Sequence, residues 1–164
     1  MDSRDFKVAV ITVSDRAFSG ERPDESGPEL IGNLQELGYR VFDYILVPDE
    51  KSYLKKALVS LSETEKADLI ITTGGTGLAM RDITPETTME IATKTVPGIA
   101  EAIRAYSLTK TCHAMLSRGV AVLHERTLII NFPGSPKACR ESLEAISQAL
   151  PHALAMLRGE KPDP

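Results

Sequence analysis

The chain has 164 residues, of which 42% are hydrophobic and 26% charged, the balance of one ordinary globular domain spanning 1–164. Its net charge is −4 and its Lys and Arg residues are scattered, so there is no basic stripe for a nucleic-acid backbone. No apolar run approaches the roughly 20 residues that span a bilayer, and residues 1–5 lack the basic-then-apolar order of a secretion signal, so a cytoplasmic location without membrane contact is expected.

The first apolar run, Lys7–Val13, is short and β-branched and ends in Ser14-Asp15-Arg16, as a buried parallel strand should. Residues 19–27 follow, rich in Gly and Ser and too long for a simple connector, and read as a mobile wall over a ligand. Leu30, Leu34 and Leu37 then recur at helical spacing into Gly38, a C-terminal cap. Residues 39–47 predict a second strand ending in Pro48-Asp49, and Leu54, Ala57, Leu58 and Leu61 a second crossover helix. Residues 68–72 predict a third strand, which runs into Thr73-Gly74-Gly75-Thr76-Gly77.

Beyond it, Thr84 before Pro85 reads as the cap and first residue of a helix, and Pro97 opens another through Ala100, Ile103 and Tyr106. Residues 119–125 and Thr127–Phe132 predict a hairpin that contributes one antiparallel strand. Ser135-Pro136 starts the helix carrying Cys139, Leu143, Ile146 and Leu150, Pro151 starts a short last one, and the polar tail at 160–164 is expected to fray. Strand and helix alternate, so the chain is read as an α/β fold with right-handed crossovers placing helices on both faces of a mostly parallel sheet.

In such a sheet, ligands bind beyond the carboxyl ends of the strands. Ser14-Asp15-Arg16, Pro48-Asp49, the 73–77 loop and Pro133-Gly134-Ser135 all fall on that edge, and four unrelated surface loops would have no reason to share it. Gly74-Gly75-Thr76-Gly77 admits positive φ and a close approach of backbone N–H groups to phosphate, although alone it reads equally well as a flexible turn. It is neither a P-loop nor a GxGxxG motif. Arg81 is suited to pair a phosphate and Asp82 to hold Mg²⁺, against the plainer role of helix capping; Asp49 likewise reads as an N-cap or a site residue, and its place on the shared edge favours the site. The Ser135 hydroxyl and the N–H groups of Lys137 and Ala138 can serve a cap, an anion, or both. His113, His124 and His152 share no ligand spacing, and Cys112 and Cys139 lack metal or disulfide patterning, so packing or surface roles are expected for all five, with both thiols reduced and packed.

Taken together, Thr73-Gly-Gly-Thr-Gly77, Arg81-Asp-Ile-Thr-Pro-Glu86, Ser14-Asp-Arg16 and Pro133-Gly-Ser135 resemble the molybdopterin adenylyltransferase family, which includes Mog and MoaB proteins and the G domains of gephyrin and its plant counterpart. The resemblance runs from Val8 to about Leu157. It implies a three-layer αβα sandwich, a homotrimer, and transfer of AMP from ATP to molybdopterin with Mg²⁺ as cofactor. It assigns Asp49 and Asp82 as catalytic and metal-positioning residues, and Gly74, Gly75, Thr76, Gly77, Pro133 and Gly134 to the nucleotide. Ser14, Asp15, Arg16, Arg81 and Ser135 fall to substrate binding. A transient contact with a molybdate-inserting protein is also implied. The Pro-Lys-Ala-Cys-Arg run after Ser135 resembles the MoaB branch and the intact 81–85 motif the Mog branch, so the alternative is a non-catalytic, trimeric pterin- or nucleotide-binding module.

Overall fold

The computed structural model describes residues 5–160; the start at residues 1–4 and the expected frayed tail beyond 160 lie outside them. Six strands form one sheet in the order β2-β1-β3-β6-β5-β4, comprising β1 (Lys7–Val13), β2 (Arg40–Val47), β3 (Leu69–Thr73), β4 (Lys94–Thr95), β5 (Ala121–His124) and β6 (Thr127–Phe132). β1 is parallel to both β2 and β3, and β3 to β6, whereas β5 runs antiparallel to its neighbours β6 and β4. The expected hairpin and single reversed strand are therefore present. The two-residue β4 has no sequence pattern and is a feature of the fold alone.

The helices are α1 (Asp15–Phe18), α2 (Ser26–Glu36), α3 (Lys51–Val59), α4 (Thr84–Glu90), α5 (Pro97–Leu108), α6 (Pro136–Ile146) and α7 (Leu150–Leu157). Period-2 alternation divides the strand side chains between two cores. Val8, Val10, Leu69, Ile71, Leu128 and Ile130 meet Leu30 and Leu34 of α2, Ile103 of α5, Leu143 of α6 and Leu154 of α7. Ala9, Ile11, Ile70 and Ile129 meet Leu54, Ala57 and Leu58 of α3 and Ile91 after α4. Three layers result, with β1, β3 and β6 buried on both faces, which is why these read as continuous apolar runs, whereas the edge strand β2, expected to be buried, is largely half-exposed. Among the described residues no helix is long and apolar enough to cross a membrane.

Several local details depart from the expectation. α3 ends at Val59 and passes into a π-helical turn, Ser60–Thr64, instead of running to Leu61. His113 lies in a short 3-10 turn, Cys112–Leu116, and Cys112 is exposed, so it is not a packing residue. Thr84 is not a cap: Ile83 holds that position, and the fully buried Thr84 hydroxyl donates to the Gly74 carbonyl at 2.9 Å. Residues 19–27 are not one free loop, since α2 already begins at Ser26 and Asp24 accepts the Gly27 N–H at 3.1 Å. The N–H groups of Glu21 and Arg22 both donate to the Arg16 carbonyl, tying the segment back to α1.

Successive crossovers leave β1 in opposite directions, to β2 on one side and by way of β2 to β3 on the other. The carboxyl ends of β1 and β3 consequently flank the switch point where a crevice opens in such sheets. α4 is fastened beside it by buried Asn131 of β6, whose amide donates to Thr72 and Thr88 hydroxyls, both at 3.0 Å, and accepts from the Val120 N–H at 3.2 Å. Asn131→Leu keeps the volume but orphans these buried partners, and we expect it to lower unfolding free energy by about 2 kcal/mol. Urea titration with an unchanged slope measures this, and a loss below about 0.5 kcal/mol contradicts the network's structural role.

Candidate active site

The crevice at the switch point is a cavity of about 640 Å³ with a glycine floor. Gly74 and Gly75 both adopt positive φ, 101° and 69°. A Cβ on Gly74 would stand 2.3 Å from the Val13 carbonyl oxygen, and one on Gly75 would stand 2.3 Å from the Thr84 hydroxyl and 3.1 Å from an Asp49 carboxylate oxygen. These glycines are therefore required by the protein's own packing, whatever binds above them. The Gly74 N–H is already given to the Phe132 carbonyl at 3.1 Å, so it is not among the groups free to cradle a phosphate. Gly134 lies against this floor, its absent side chain 3.4 Å from the Gly74 Cα.

Carboxylates converge over the floor. Asp15 and Asp49 form a reciprocal latch between the ends of β1 and β2: the Asp15 N–H donates to Asp49 Oδ2 at 2.9 Å and the Asp49 N–H to Asp15 Oδ1 at 3.0 Å. Asp49 is not a helix cap, because Glu50 occupies that position. Arg81 closes the latch from the other side with a two-pronged contact to Asp15, Nε to Oδ2 at 2.5 Å and Nη2 to Oδ1 at 2.9 Å, and lies 3.6 Å from Glu50. That guanidinium holds the Asp15 carboxyl below its ordinary pKa and is itself kept firmly protonated. Asp49 moves the opposite way, raised first by burial and then by the charges of Asp15 and Asp82, against the lowering effects of the Asp15 N–H and Arg81.

Asp82 turns one carboxylate oxygen, Oδ2, to the Ala79 N–H at 3.0 Å, closing the loop that carries it. The same oxygen would lie 2.9 Å from a Cβ on Gly77, which explains that glycine. Arg118, from the chain entering β5, donates to the carbonyls of Gly77 at 2.8 Å and Asp82 at 2.9 Å and pairs with Glu86. On the far wall, Ser135 caps α6 by accepting the Ala138 N–H at 3.1 Å, and the buried Cys139 thiol and Thr73 hydroxyl both reach the Pro133 carbonyl. Burial pushes the Cys139 thiol up to about 11, which makes it an inert packing group.

Of the residues singled out from sequence, Ser14, Asp15, Arg16, Asp49, Gly74, Gly75, Arg81, Asp82, Gly134 and Ser135 all line the cavity. Thr76, Gly77 and Pro133 do not line it. Sequence reasoning missed the individual contributions of Thr12, Arg22, Asp24 and Ala79 to the wall. Asp24 is held there by hydrogen bonds from the Gly27 N–H and the Tyr44 hydroxyl. Arg118 was missed altogether, because nothing local marks an arginine whose acceptor is 41 residues away. Among the described residues no group of three His, Cys, Asp or Glu side chains stands ready to hold a metal alone.

Asp49 gives a pH-dependent prediction. Its pKa in the folded protein is raised, so its stabilising contribution is full below the unfolded pKa and is lost as pH rises through the folded value. At pH 7 its ionised form costs stability. Asp49→Asn keeps an oxygen for the Asp15 N–H, so the variant is expected to melt roughly 1–3 °C above the parent at pH 7. The gap should close as pH falls below about 4, and calorimetry showing a lower melting point at pH 7 would refute this account.

The profile of the family described as "Probable molybdopterin binding domain" matches residues 9–152. A molybdopterin adenylyltransferase of Helicobacter pylori (strain J99) is 41% identical over 154 residues, covering 93% of this chain and 88% of that protein. The solved structure of the molybdopterin biosynthesis enzyme MoaB from Thermus thermophilus superposes with a TM-score of 0.90 at 51% identity, covering 96% of this chain and 98% of that one. The tungsten cofactor synthesizing protein MoaB from Pyrococcus furiosus does so at 0.81 and 38% identity, covering 93% and 97%. The chain therefore belongs to the molybdopterin-binding domain family that includes these adenylyltransferases and MoaB proteins.

Proposed function

We propose that this protein is a molybdopterin adenylyltransferase, moving AMP from Mg-ATP to the terminal phosphate of molybdopterin in molybdenum cofactor synthesis. The observation that carries this reading is the convergence of Asp49 and Asp82 over a glycine floor at the sheet's switch point, in a family with curated adenylyltransferases. An oxygen of the pterin's terminal phosphate forms a new bond to the α-phosphorus of ATP, the bond from that phosphorus to the bridging oxygen breaks, and pyrophosphate leaves. No protein nucleophile is needed. The residues act by alignment and by managing charge.

The donor set fits Mg²⁺: Asp49 and Asp82 are hard oxygen ligands, and Mg²⁺ commonly takes one or two carboxylates with the rest of its shell from water and substrate phosphates. Burial raises the Asp49 carboxyl and the charges of Asp15 and Asp82 raise it further, a repulsion that a bound cation would relieve. When bound, the metal supplies electrostatic stabilisation of the pyrophosphate leaving group. Gly74, Gly75 and Gly134 provide a floor low enough for nucleotide phosphates. Thr76, Gly77 and Pro133 flank that floor in the chain. Ser14, Asp15, Arg16 and Ser135 contact substrate, and Arg81 exchanges Asp15 for a phosphate; the pair is open to solvent, with side chains 58% and 37% exposed, and a phosphate presents the same two-pronged acceptor.

Residues 1–164 act as one domain in the cytoplasm. The unit is a homotrimer, a reading supported by the exposed apolar side chains Leu78, Met80, Leu108, Met115 and Leu116, and it meets a molybdate-inserting protein transiently. A second reading, a non-catalytic binding module, rests on the Pro-Lys-Ala-Cys-Arg run after Ser135 that resembles the MoaB branch. Incubation with molybdopterin and Mg-ATP, assayed for pyrophosphate and AMP-bearing pterin, separates the two. Asp82→Asn should lower single-turnover transfer on the order of 10²-fold while leaving pterin affinity within about twofold, since a charge interaction of a few kcal/mol is lost from the reacting phosphates alone. Transfer at the parental rate would remove Asp82 from the mechanism.

A further inference from the structure

We propose that Arg118 is a positioning residue that keeps the Asp82 carboxylate aimed into the site while Arg81 releases Asp15. The inference rests on the reaction proposed above. The loop at 77–82 has little burial to fix it: Leu78 is 67% exposed and Met80 97% exposed. Within the loop, the Asp82 N–H donates to the Ala79 carbonyl and the Ala79 N–H to the Asp82 carboxylate, both at 3.0 Å. These two bonds shape the loop but do not fasten it to anything else.

Fastening comes from two arginines on opposite sides. Arg81 reaches out to Asp15 at the end of β1, through a pair with a 58% exposed guanidinium side chain. Arg118 reaches in from the β5 side and is less exposed, at 35%. Its Nε and Nη2 bracket the loop by donating to the carbonyls of its first and last residues, Gly77 at 2.8 Å and Asp82 at 2.9 Å. Nη1 meets Glu86 on α4, whose carboxyl is lowered chiefly by that contact, and the Arg118 main-chain N–H donates to the Thr76 carbonyl at 2.9 Å. One planar fork thus ties both ends of the loop to α4.

If Arg81 turns to a phosphate, its tie to Asp15 is lost and the Arg118 bracket remains. Lysine cannot substitute: a single ammonium lacks the rigid fork that spans two carbonyls and a carboxylate at once. Arg118 does not line the cavity, so its effect on the reaction must pass through Asp82.

The test compares Arg118→Ala, Arg118→Lys and Glu86→Gln with the parent protein by amide hydrogen exchange and by Mn²⁺ binding in the presence of ATP. In both Arg118 variants the amides of Ala79 and Asp82 should exchange at least about tenfold faster while those of β1, β3 and α5 keep their protection. The Mn²⁺ concentration for half-saturation should rise about fivefold, with pterin affinity within about twofold of the parent and kcat falling more than KM for ATP rises. Glu86→Gln, which leaves the two carbonyl contacts, should show the same changes at smaller size. Unchanged loop exchange, faster exchange across the whole chain, or a loosened loop with unaltered Mn²⁺ binding each overturns the assignment. Exchange and Mn²⁺ binding need no turnover, so a parent protein that fails to transfer AMP overturns the proposed reaction and leaves these two measurements to decide Arg118.

Discussion

The site depends on one close approach: the backbone at Gly74 presses against the Val13 carbonyl so tightly that a Cβ there would stand 2.3 Å from it. Only glycine permits both that contact and the positive φ that turns the chain out of β3. With the two strand ends brought together, every other component follows by short connections. Thr84 reaches the Gly74 carbonyl and thereby sets the start of α4, while the Phe132 carbonyl takes the Gly74 N–H and draws the β6 loop with Gly134 and Ser135 onto the same floor. The loop is thus a structural junction first. Its use for a ligand is built on the surface that the junction leaves.

Above that junction the electrostatics are arranged in unequal shares. Asp15 is neutralised by Arg81, whereas Asp49, one latch away and more deeply set, is raised first by burial and then by the charges of Asp15 and Asp82, offset in part by the Asp15 N–H and Arg81. The charges of Asp15 and Asp82 beside Asp49 make the site attractive to a divalent cation, so nucleotide and metal are admitted best together.

Much of this was legible in the sequence, and for physical reasons. Strands buried on both faces must be apolar throughout, so β1, β3 and β6 announce themselves, and parallel order then forces their carboxyl ends, with that of β2, to one edge, collecting Ser14, Asp49, Gly74 and Gly134. What stayed hidden was decided by tertiary contacts. Thr84-Pro85 carries every local mark of a helix cap, yet the nearby Gly74 carbonyl captures its hydroxyl. β4 consists of two exposed residues that pair only because β5 is already in place. Residues 19–27 read as a mobile wall because the contact that holds Asp24, to Tyr44, crosses from before α2 to the middle of β2.

The same distinction separates the two arginines of the 77–82 loop. Arg81 sits inside a recognisable motif and was assigned to phosphate, but in the unliganded arrangement its fork is already occupied by Asp15. Its contact is exposed to solvent, and a doubly charged phosphate offers the fork the same two-pronged acceptor as the carboxylate it displaces. Such an exchange releases Asp15 and removes one of the loop's two tethers at the moment when Asp82 most needs a fixed direction. Arg118 stands outside the cavity lining and is less exposed than Arg81, so its fork stays on the Gly77 and Asp82 carbonyls and this second tether survives ligand entry. A site that uses one arginine as an exchangeable partner therefore requires another that is not exchangeable, and the two roles are separated by position: Arg81 lines the cavity, whereas Arg118 stands outside it with its fork on main-chain carbonyls.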